Sequence, residues 1–182
     1  MRINVLSLFI VCCLLASCDQ KKSLANKTKV NNVEVVDEQD GDLLIYERFE
    51  DMEYIFNNEN DTTYVINFWA TWCKPCVEEL PYFDQLFTEY RAEKIKIILV
   101  SLDFPKQIES KLKPYLLKNK VLPQVMVLKD GNANEWIGQV SEDWDGAIPA
   151  TIIYNKNKRL FIGGEVPSYA NLKDKVEPLI NN

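Results

Sequence analysis

Three segments between residues 63 and 102 constrain the fold of this chain more than any other feature of its sequence. Residues 63–69 form a β-branched and aromatic run typical of a buried strand, and residues 95–102 form a second run of the same kind. Between them, apolar side chains recur at three- and four-residue intervals from residue 77 to residue 90, which predicts an amphipathic helix. Strand, helix and strand in this order require a parallel strand pair joined by a right-handed crossover. The sequence therefore predicts a layered α/β domain.

Two of the predicted helices contain prolines that should distort them. Pro81 interrupts the apolar face of the first helix, which predicts a kink there. A second helical pattern covers residues 108–116, and Pro114 should kink or split it. Residues 122–128, which follow it, are expected to form a short strand or an extended segment.

The C-terminal part of the chain predicts a hairpin followed by a helix. Two apolar runs, residues 151–154 and 160–162, flank a polar segment and are typical of paired strands joined by a turn. Ser168 is a candidate N-cap of the terminal helix, whose apolar stripe predicts burial of one face. Trp136 and Trp144, upstream of the hairpin, are interpreted as packing or loop residues.

Two cysteines lie where the first predicted strand passes into the first predicted helix. Unpaired backbone N–H groups and the positive end of the helix dipole stabilise a thiolate at that position. Cys73 is therefore predicted to be the exposed nucleophile. Cys76 lies within bonding reach of Cys73 and is predicted to attack a mixed disulfide formed there, which makes it the resolving thiol.

The composition excludes several classes of function. With 21 basic against 27 acidic residues the net charge is -6, and no long basic run is present, which argues against a nucleic-acid partner. The chain has no histidine, so it lacks the commonest general base near neutral pH and the commonest transition-metal ligand. Catalysis must therefore rest on Cys, carboxylate, Lys or Tyr. No cofactor is implied, and a monomer is the default expectation.

The N-terminus has the pattern of an export signal. One basic residue, Arg2, precedes an apolar stretch that is too short to span a bilayer. The stretch ends in Leu-Ala-Ser before Cys18, which resembles the lipobox of bacterial lipoproteins. That resemblance implies cleavage after a signal peptide of residues 1–17 and lipidation of Cys18, while a plain secretory signal or an uncleaved anchor are the alternatives. Residues 18–42 are polar and are expected to tether a domain of residues 43–182 to the membrane.

The cysteine pair lies within a long motif, Asn-Phe-Trp-Ala-Thr-Trp-Cys-Lys-Pro-Cys-Val-Glu-Glu-Leu-Pro, at residues 67–81. This run resembles the thioredoxin superfamily, and within it the membrane-tethered, extracytoplasmic TlpA/ResA-like branch. The resemblance covers roughly residues 45–180 and is weakest between residues 103 and 144. It implies a thioredoxin-like fold, in which a central mixed β-sheet is flanked by helices. It also implies that the pair of Cys73 and Cys76 is a redox-active disulfide.

The resemblance also implies roles for residues near the cysteines. Pro149 matches the cis-proline that faces the disulfide and, with Ile148 before it, supplies a backbone edge for an incoming peptide. Trp72 is expected to belong to the docking surface, and Lys74 and Pro75, between the cysteines, are expected to tune the thiols.

Glu79 matches the glutamate of a Cys-x-x-Cys-x-x-Glu-x-Pro motif that is thought to tune the thiols. A partly buried carboxylate near Cys76 is the natural proton acceptor in a chain without histidine. The alternative is a solvated helix residue, as Glu78 is expected to be. Asn67 stands where cytoplasmic thioredoxins carry a buried Asp, so Glu79 would have to act in its place.

The expected function is that of an extracytoplasmic thiol–disulfide oxidoreductase in the bacterial cell envelope, with the domain facing the periplasm or the outside. The resemblance favours a reductase over an oxidase. Its partners would be exported proteins with cysteines or disulfides, apocytochrome c among them, and a membrane electron donor.

Other functions fit the residues less well. A Cu(I)-handling module of the same fold is an alternative, but it would have only two soft ligands here, and a zinc site would lack two of its four. A thiol peroxidase is disfavoured by the spacing of Thr71 from Cys73. A purely structural disulfide would stabilise little, because the loop it closes is short.

Overall fold

The computed structural model describes residues 43–180, which form a six-stranded mixed sheet. The strand order is β1-β4-β3-β2-β5-β6, in which β1, β4, β3 and β2 run parallel and β5 and β6 are antiparallel to their neighbours. The predicted central mixed sheet is therefore confirmed. The strands are β1 (Leu44–Tyr46), β2 (Thr63–Trp69), β3 (Ile95–Ser101), β4 (Gln124–Leu128), β5 (Ala150–Tyr154) and β6 (Arg159–Gly163).

Helices cover both faces of this sheet. One face carries the long helices α1 and α5 and the segment from α2 to α3, and the other carries α4 and two short 3-10 helices. The helices are α1 (Lys74–Glu89), α2 (Pro105–Gln107), a π-helix (Ile108–Leu112), α3 (Lys113–Asn119), α4 (Ala133–Val140) and α5 (Tyr169–Ile180), with 3-10 turns at Phe49–Asp51 and Glu53–Phe56.

Strand β2 lies at the centre of both packing layers, and all seven of its residues are buried. Because successive side chains of a strand point to opposite faces, Val65 and Trp69 pack with α1, while Ile66 and Phe68 pack with α4. A strand covered on both faces reads as a continuous apolar run, which is why this segment is recognisable in the sequence. The single polar side chain in its middle, Asn67, faces α1.

The predicted helices are present. Helix α1 continues through Pro81 as one element, and the kink expected at this proline stays a prediction. The helix predicted at residues 108–116 is distorted and not split: a π-helix over Ile108–Leu112 continues directly into α3, so the hydrogen-bond pattern changes just before Pro114, which has no N–H.

The C-terminal predictions are also confirmed. The Asn155 N–H donates to the Lys158 carbonyl at 2.9 Å to close the β5–β6 hairpin, and the Ser168 hydroxyl accepts the Asn171 N–H at 3.2 Å as an N-cap. Trp136 and Trp144 are buried in an aromatic cluster with Phe49 and Phe68, so both serve packing.

The signal peptide at residues 1–17, the tether at residues 18–42 and Cys18 lie outside the described residues. Within residues 43–180, none of the helices combines the length and apolar character needed to cross a bilayer.

We expect the packing of α1 against the sheet to contribute strongly to stability. Phe83 on α1 is fully buried against the sheet. Phe83→Ala should cost about 3–5 kcal/mol of unfolding free energy, because it removes apolar burial and leaves a cavity. Urea unfolding of the oxidised protein measures this. The control, Leu117→Ala, removes a side chain that is 80% exposed and should change stability by less than about 0.5 kcal/mol. Similar losses in the two variants would contradict the assignment of this core.

Candidate active site

The two cysteines form a disulfide at the N-terminus of α1, with an S–S distance of 2.01 Å and a Cα–Cα distance of 5.3 Å. Cys73 is the N-cap residue and Cys76 lies in the first helical turn. Cys76 is fully buried, whereas Cys73 retains 6% of its surface. Cys73 is therefore the more accessible of the two cysteines, but the prediction that it is exposed is wrong, because the residue is buried. The Ile148 carbonyl oxygen lies 3.6 Å from its Sγ and helps to cover it.

The cap position explains how a thiolate on Cys73 would be stabilised once the disulfide is reduced. An N-cap side chain ordinarily accepts a hydrogen bond from the backbone N–H of the second or third helical residue. Pro75 is the second residue and has no N–H, so the Cys76 N–H is the donor that remains. Pro75 therefore fits the first turn of the helix and leaves the Cys76 N–H as the donor available to the Cys73 sulfur.

Lys74 lies away from the sulfurs. Its side chain is 86% exposed and pairs with Glu78, with the Nζ–Oε1 distance at 3.5 Å. An exposed pair of this kind contributes little energy and is screened by salt. Tuning of the thiols by Lys74 stays a prediction, and the geometry allows it only a weak effect.

Glu79 is buried, so it is not the solvated helix residue of the alternative interpretation. Its side chain accepts hydrogen bonds from the Asn67 amide (Nδ2 to Oε1, 2.7 Å) and from the Val166 backbone N–H (N to Oε2, 2.6 Å). Burial outweighs these two donors and raises the pKa of Glu79 to about 7 from 4.5. Glu79 lies three residues after Cys76, on a neighbouring face of the same helix. A carboxyl group with this pKa exchanges protons near neutral pH.

Asn67 holds Glu79 from the sheet. It is paired with Thr151 across the antiparallel β2–β5 ladder, and its amide donates to the Thr151 hydroxyl at 3.0 Å as well as to Glu79. An Asp at this position would place a second carboxylate within hydrogen-bond distance of Glu79, and the two charges would repel each other in a buried site. The neutral amide is therefore the side chain compatible with a glutamate on α1.

The Ile148–Pro149 peptide bond is cis, as expected. The Pro149 carbonyl accepts the Gly164 N–H at 3.0 Å, which continues the β5–β6 pairing beyond the strands. Ile148 is half-buried, and among residues 43–180 its backbone N–H has no hydrogen-bond acceptor. Its N–H and its carbonyl, next to Cys73, are thus available to the backbone of another chain.

Asp103 is a residue of the site that the sequence analysis missed. It is buried, and its carboxylate accepts hydrogen bonds from the backbone N–H and hydroxyl of Thr71 and from the hydroxyl of Ser101. These bonds fix the segment before Cys73 to the end of β3. A Ser-x-Asp sequence that begins at the last residue of β3, the strand parallel to β2, is the signal that points to it, because the C-terminal ends of parallel strands meet at one edge.

Trp72 is 47% exposed and stacks on Phe104, with ring centroids 5.7 Å apart. The structure thus places Trp72, Pro75 and Ile148 next to the disulfide and Glu79 about one turn further along α1, whereas the Lys74 side chain extends into solvent. In the part of the chain that the structure describes, no three His, Cys, Asp or Glu side chains surround a common metal position.

A Cys-x-x-Cys disulfide at the start of a helix, on a mixed sheet with a cis-proline beside it, defines a protein of thioredoxin-like fold. Residues 48–161 match the model of the AhpC/TSA family, and the chain belongs to that family. The predicted membership of the thioredoxin superfamily and the predicted fold class are confirmed.

Similar proteins include thiol–disulfide oxidoreductases. The protein ResA of Oceanobacillus iheyensis, named a thiol-disulfide oxidoreductase, is 51% identical over 39 residues, which are 21% of this chain and 20% of that protein. The ResA of Geobacillus kaustophilus is 44% identical over 41 residues, 22% of this chain and 24% of that protein. The matched segment thus spans about a fifth of the length of these relatives.

Solved structures resemble the fold over a longer stretch. A secreted thiol-disulfide isomerase from Corynebacterium glutamicum has a TM-score of 0.57 and 18% identity, covering 68% of this chain and 73% of that one. A thiol:disulfide interchange protein from Chlorobium tepidum has a TM-score of 0.54 and 20% identity, covering 70% and 83%.

The raised pKa of Glu79 predicts a pH-dependent stability. The folded protein holds this proton more tightly than the unfolded chain, so its contribution is complete below pH 4.5 and is lost as the pH rises through about 7. The difference corresponds to about 3 kcal/mol. Urea unfolding of the oxidised protein should show this decline between pH 5 and pH 8, and Glu79→Gln should remove most of it. The matched control, Glu78→Gln, changes an exposed neighbour and should keep the decline. The same pH slope in both variants would show that Glu79 titrates normally.

Proposed function

We propose that this protein is a thiol–disulfide oxidoreductase that exchanges disulfides with other proteins through Cys73 and Cys76. The observation that carries the proposal is the disulfide itself. One cysteine lies at a helix N-cap and keeps 6% of its surface, and the other is fully buried about one helical turn before Glu79, a buried carboxyl group whose pKa is raised to about 7. The relatives named as thiol-disulfide oxidoreductases support the proposal, since they are 51% and 44% identical to this chain over 39 and 41 residues.

In the first step the reduced protein attacks its partner. The Cys73 thiolate forms a bond to one sulfur of a partner disulfide, the partner's S–S bond breaks, and the other partner sulfur leaves as a thiolate. The product is a mixed disulfide on Cys73. The free Ile148 N–H and carbonyl pair with the backbone of the partner and hold it beside the sulfur.

In the second step Cys76 releases the partner. Its thiol gives a proton to Glu79 and attacks Cys73 Sγ, so that the mixed disulfide breaks and the second partner sulfur leaves as a thiolate. Two electrons have passed to the partner, which takes up two protons, and the protein is left with the disulfide seen here. Glu79 is the proton acceptor in this step because it is buried about one turn from Cys76 on the same helix and, with a pKa of about 7, is ionised in a substantial fraction of molecules at neutral pH and can then take up the proton.

The direction and the place of the reaction are part of the proposal. We infer a reductase that acts outside the cytoplasm, anchored by lipid on Cys18, on exported proteins with cysteines such as apocytochrome c. A membrane electron donor would then reduce the Cys73–Cys76 disulfide after each turnover. The apolar N-terminal stretch before Cys18 and the similarity to ResA support these inferences.

Trapping tests the exchange. Cys76→Ala should accumulate partner proteins as mixed disulfides on Cys73, because no second thiol can release them. The complexes would be separated by non-reducing electrophoresis of a cell-envelope extract and should vanish on reduction. Cys73→Ala is the control and should trap little, since its remaining sulfur is fully buried. Equal capture by both variants, or none by either, would contradict the assigned order of attack.

The reduction potential tests the direction. For a reductase we expect a value near or below about -270 mV, where thioredoxin lies, whereas an oxidase would lie near about -120 mV. The fluorescence of Trp72, next to Cys73, reports the redox state of the full chain during equilibration with dithiothreitol and glutathione buffers. A value near about -120 mV would contradict the reductase and favour the oxidase alternative.

A further inference from the structure

Two large aromatic side chains lie exposed beside the disulfide. Trp72 is 47% exposed and Phe104 is 59% exposed, and their rings stack with an interplanar angle of 16°. They belong to two loops, one before α1 and one after β3. Apolar side chains exposed in a contiguous patch are typical of interaction sites, since a monomer gains no stability from leaving them in water.

The two rings are held in place from below. Asp103 precedes Phe104 in the chain, and its buried carboxylate binds the backbone N–H and the hydroxyl of Thr71, which precedes Trp72. The Ser101 hydroxyl binds the same carboxylate at 2.8 Å and also accepts the Asp103 N–H at 3.1 Å. The loops that carry the rings are thus tied together by hydrogen bonds, so the stack is formed before any partner arrives. Preformed surfaces of this kind bind with less loss of conformational entropy.

We propose that Trp72 and Phe104 form a docking site for an aromatic side chain that lies close to the reacting cysteine in the sequence of a partner polypeptide. This inference rests on the proposed function, because it concerns the partner that reacts at Cys73. It makes Phe104 a specificity-determining residue. The preferred partners would be polypeptides with an aromatic residue near a cysteine, in preference to small thiols and to cysteines with polar neighbours.

The position of the stack selects this occupant. Trp72 directly precedes Cys73, so the stack lies close to the point where the sulfur of a partner polypeptide reacts. The free Ile148 N–H and the Ile148 carbonyl, 3.6 Å from Cys73 Sγ, favour an extended partner backbone. Residues of an extended chain are spaced about 3.3 Å apart, which brings the neighbours of the reacting cysteine to the two rings. A third ring adds to the existing stack with the geometry that aromatic pairs prefer.

The test uses two peptides, each with an internal disulfide, that differ only in having Phe or Ser beside the attacked cysteine. The rate constant for reduction of each is measured with the reduced full chain in detergent. The wild-type protein should reduce the Phe peptide about fivefold faster, the size expected of one aromatic contact. In Phe104→Ala the ratio of the two rates should fall to about 2 or less. Phe104→Leu keeps the apolar area without the ring and should give an intermediate ratio.

Tyr54→Ala is the matched control, because Tyr54 is an aromatic residue with 56% exposure in a 3-10 turn on the opposite face of the sheet. It should keep the wild-type ratio. An unchanged ratio in Phe104→Ala would overturn the inference. So would a concentration-dependent dimer that Phe104→Ala abolishes in analytical ultracentrifugation, since the stack would then bind a second copy of this chain. Failure of the wild-type protein to exchange even with dithiothreitol would overturn the proposed function instead, and the docking site with it.

Discussion

Burial of β2 on both faces determines where the residues of the site lie. Its seven residues are covered by helices above and below, and the alternation of its side chains assigns each residue to one layer. The strand ends at Trp69, at the edge where parallel strands leave room for a ligand. The chain then turns through Thr71 into α1. The position of Cys73 at the start of that helix therefore follows from how β2 packs, and the reactive sulfur stands on a rigid support.

Much of this arrangement could be predicted from the sequence because it depends on local patterns. The β2 run, the spacing of apolar residues along α1 and the two cysteines between them are neighbours in the chain, so pattern and position are read together. The hairpin at β5–β6 and the Ser168 cap are local in the same way. The cis bond before Pro149 is different: nothing in its neighbourhood requires it, and only the family resemblance indicated it.

What the sequence did not reveal depends on contacts between distant residues. The Val166 N–H that binds Glu79 is 87 residues away from it, and Asp103 is 32 residues from Thr71. Neither contact leaves a periodic trace in the sequence, because each joins polar groups that are far apart in the chain. The stack of Trp72 on Phe104 also joins two loops that are distant in the chain, so the sequence does not reveal it either. The low exposure of Cys73 also escaped prediction, since the Ile148 carbonyl that covers it comes from another part of the fold.

The charge balance beneath the disulfide explains why these distant contacts matter to the chemistry. Cys76 is fully buried and Glu79 is 2% exposed, so a thiolate and a carboxylate there would have to be ionised together without water. In the mechanism that we propose, transfer of the Cys76 proton to Glu79 keeps the buried charge at one, and this charge moves from oxygen to sulfur. The two donors, Asn67 and Val166, stabilise the carboxylate enough to be ionised near neutral pH, but not enough to keep it from accepting a proton. A neutral Asn67 preserves this balance. A carboxylate in its place would add a second negative charge, and none of the described residues that contact the site carries a positive charge to offset it.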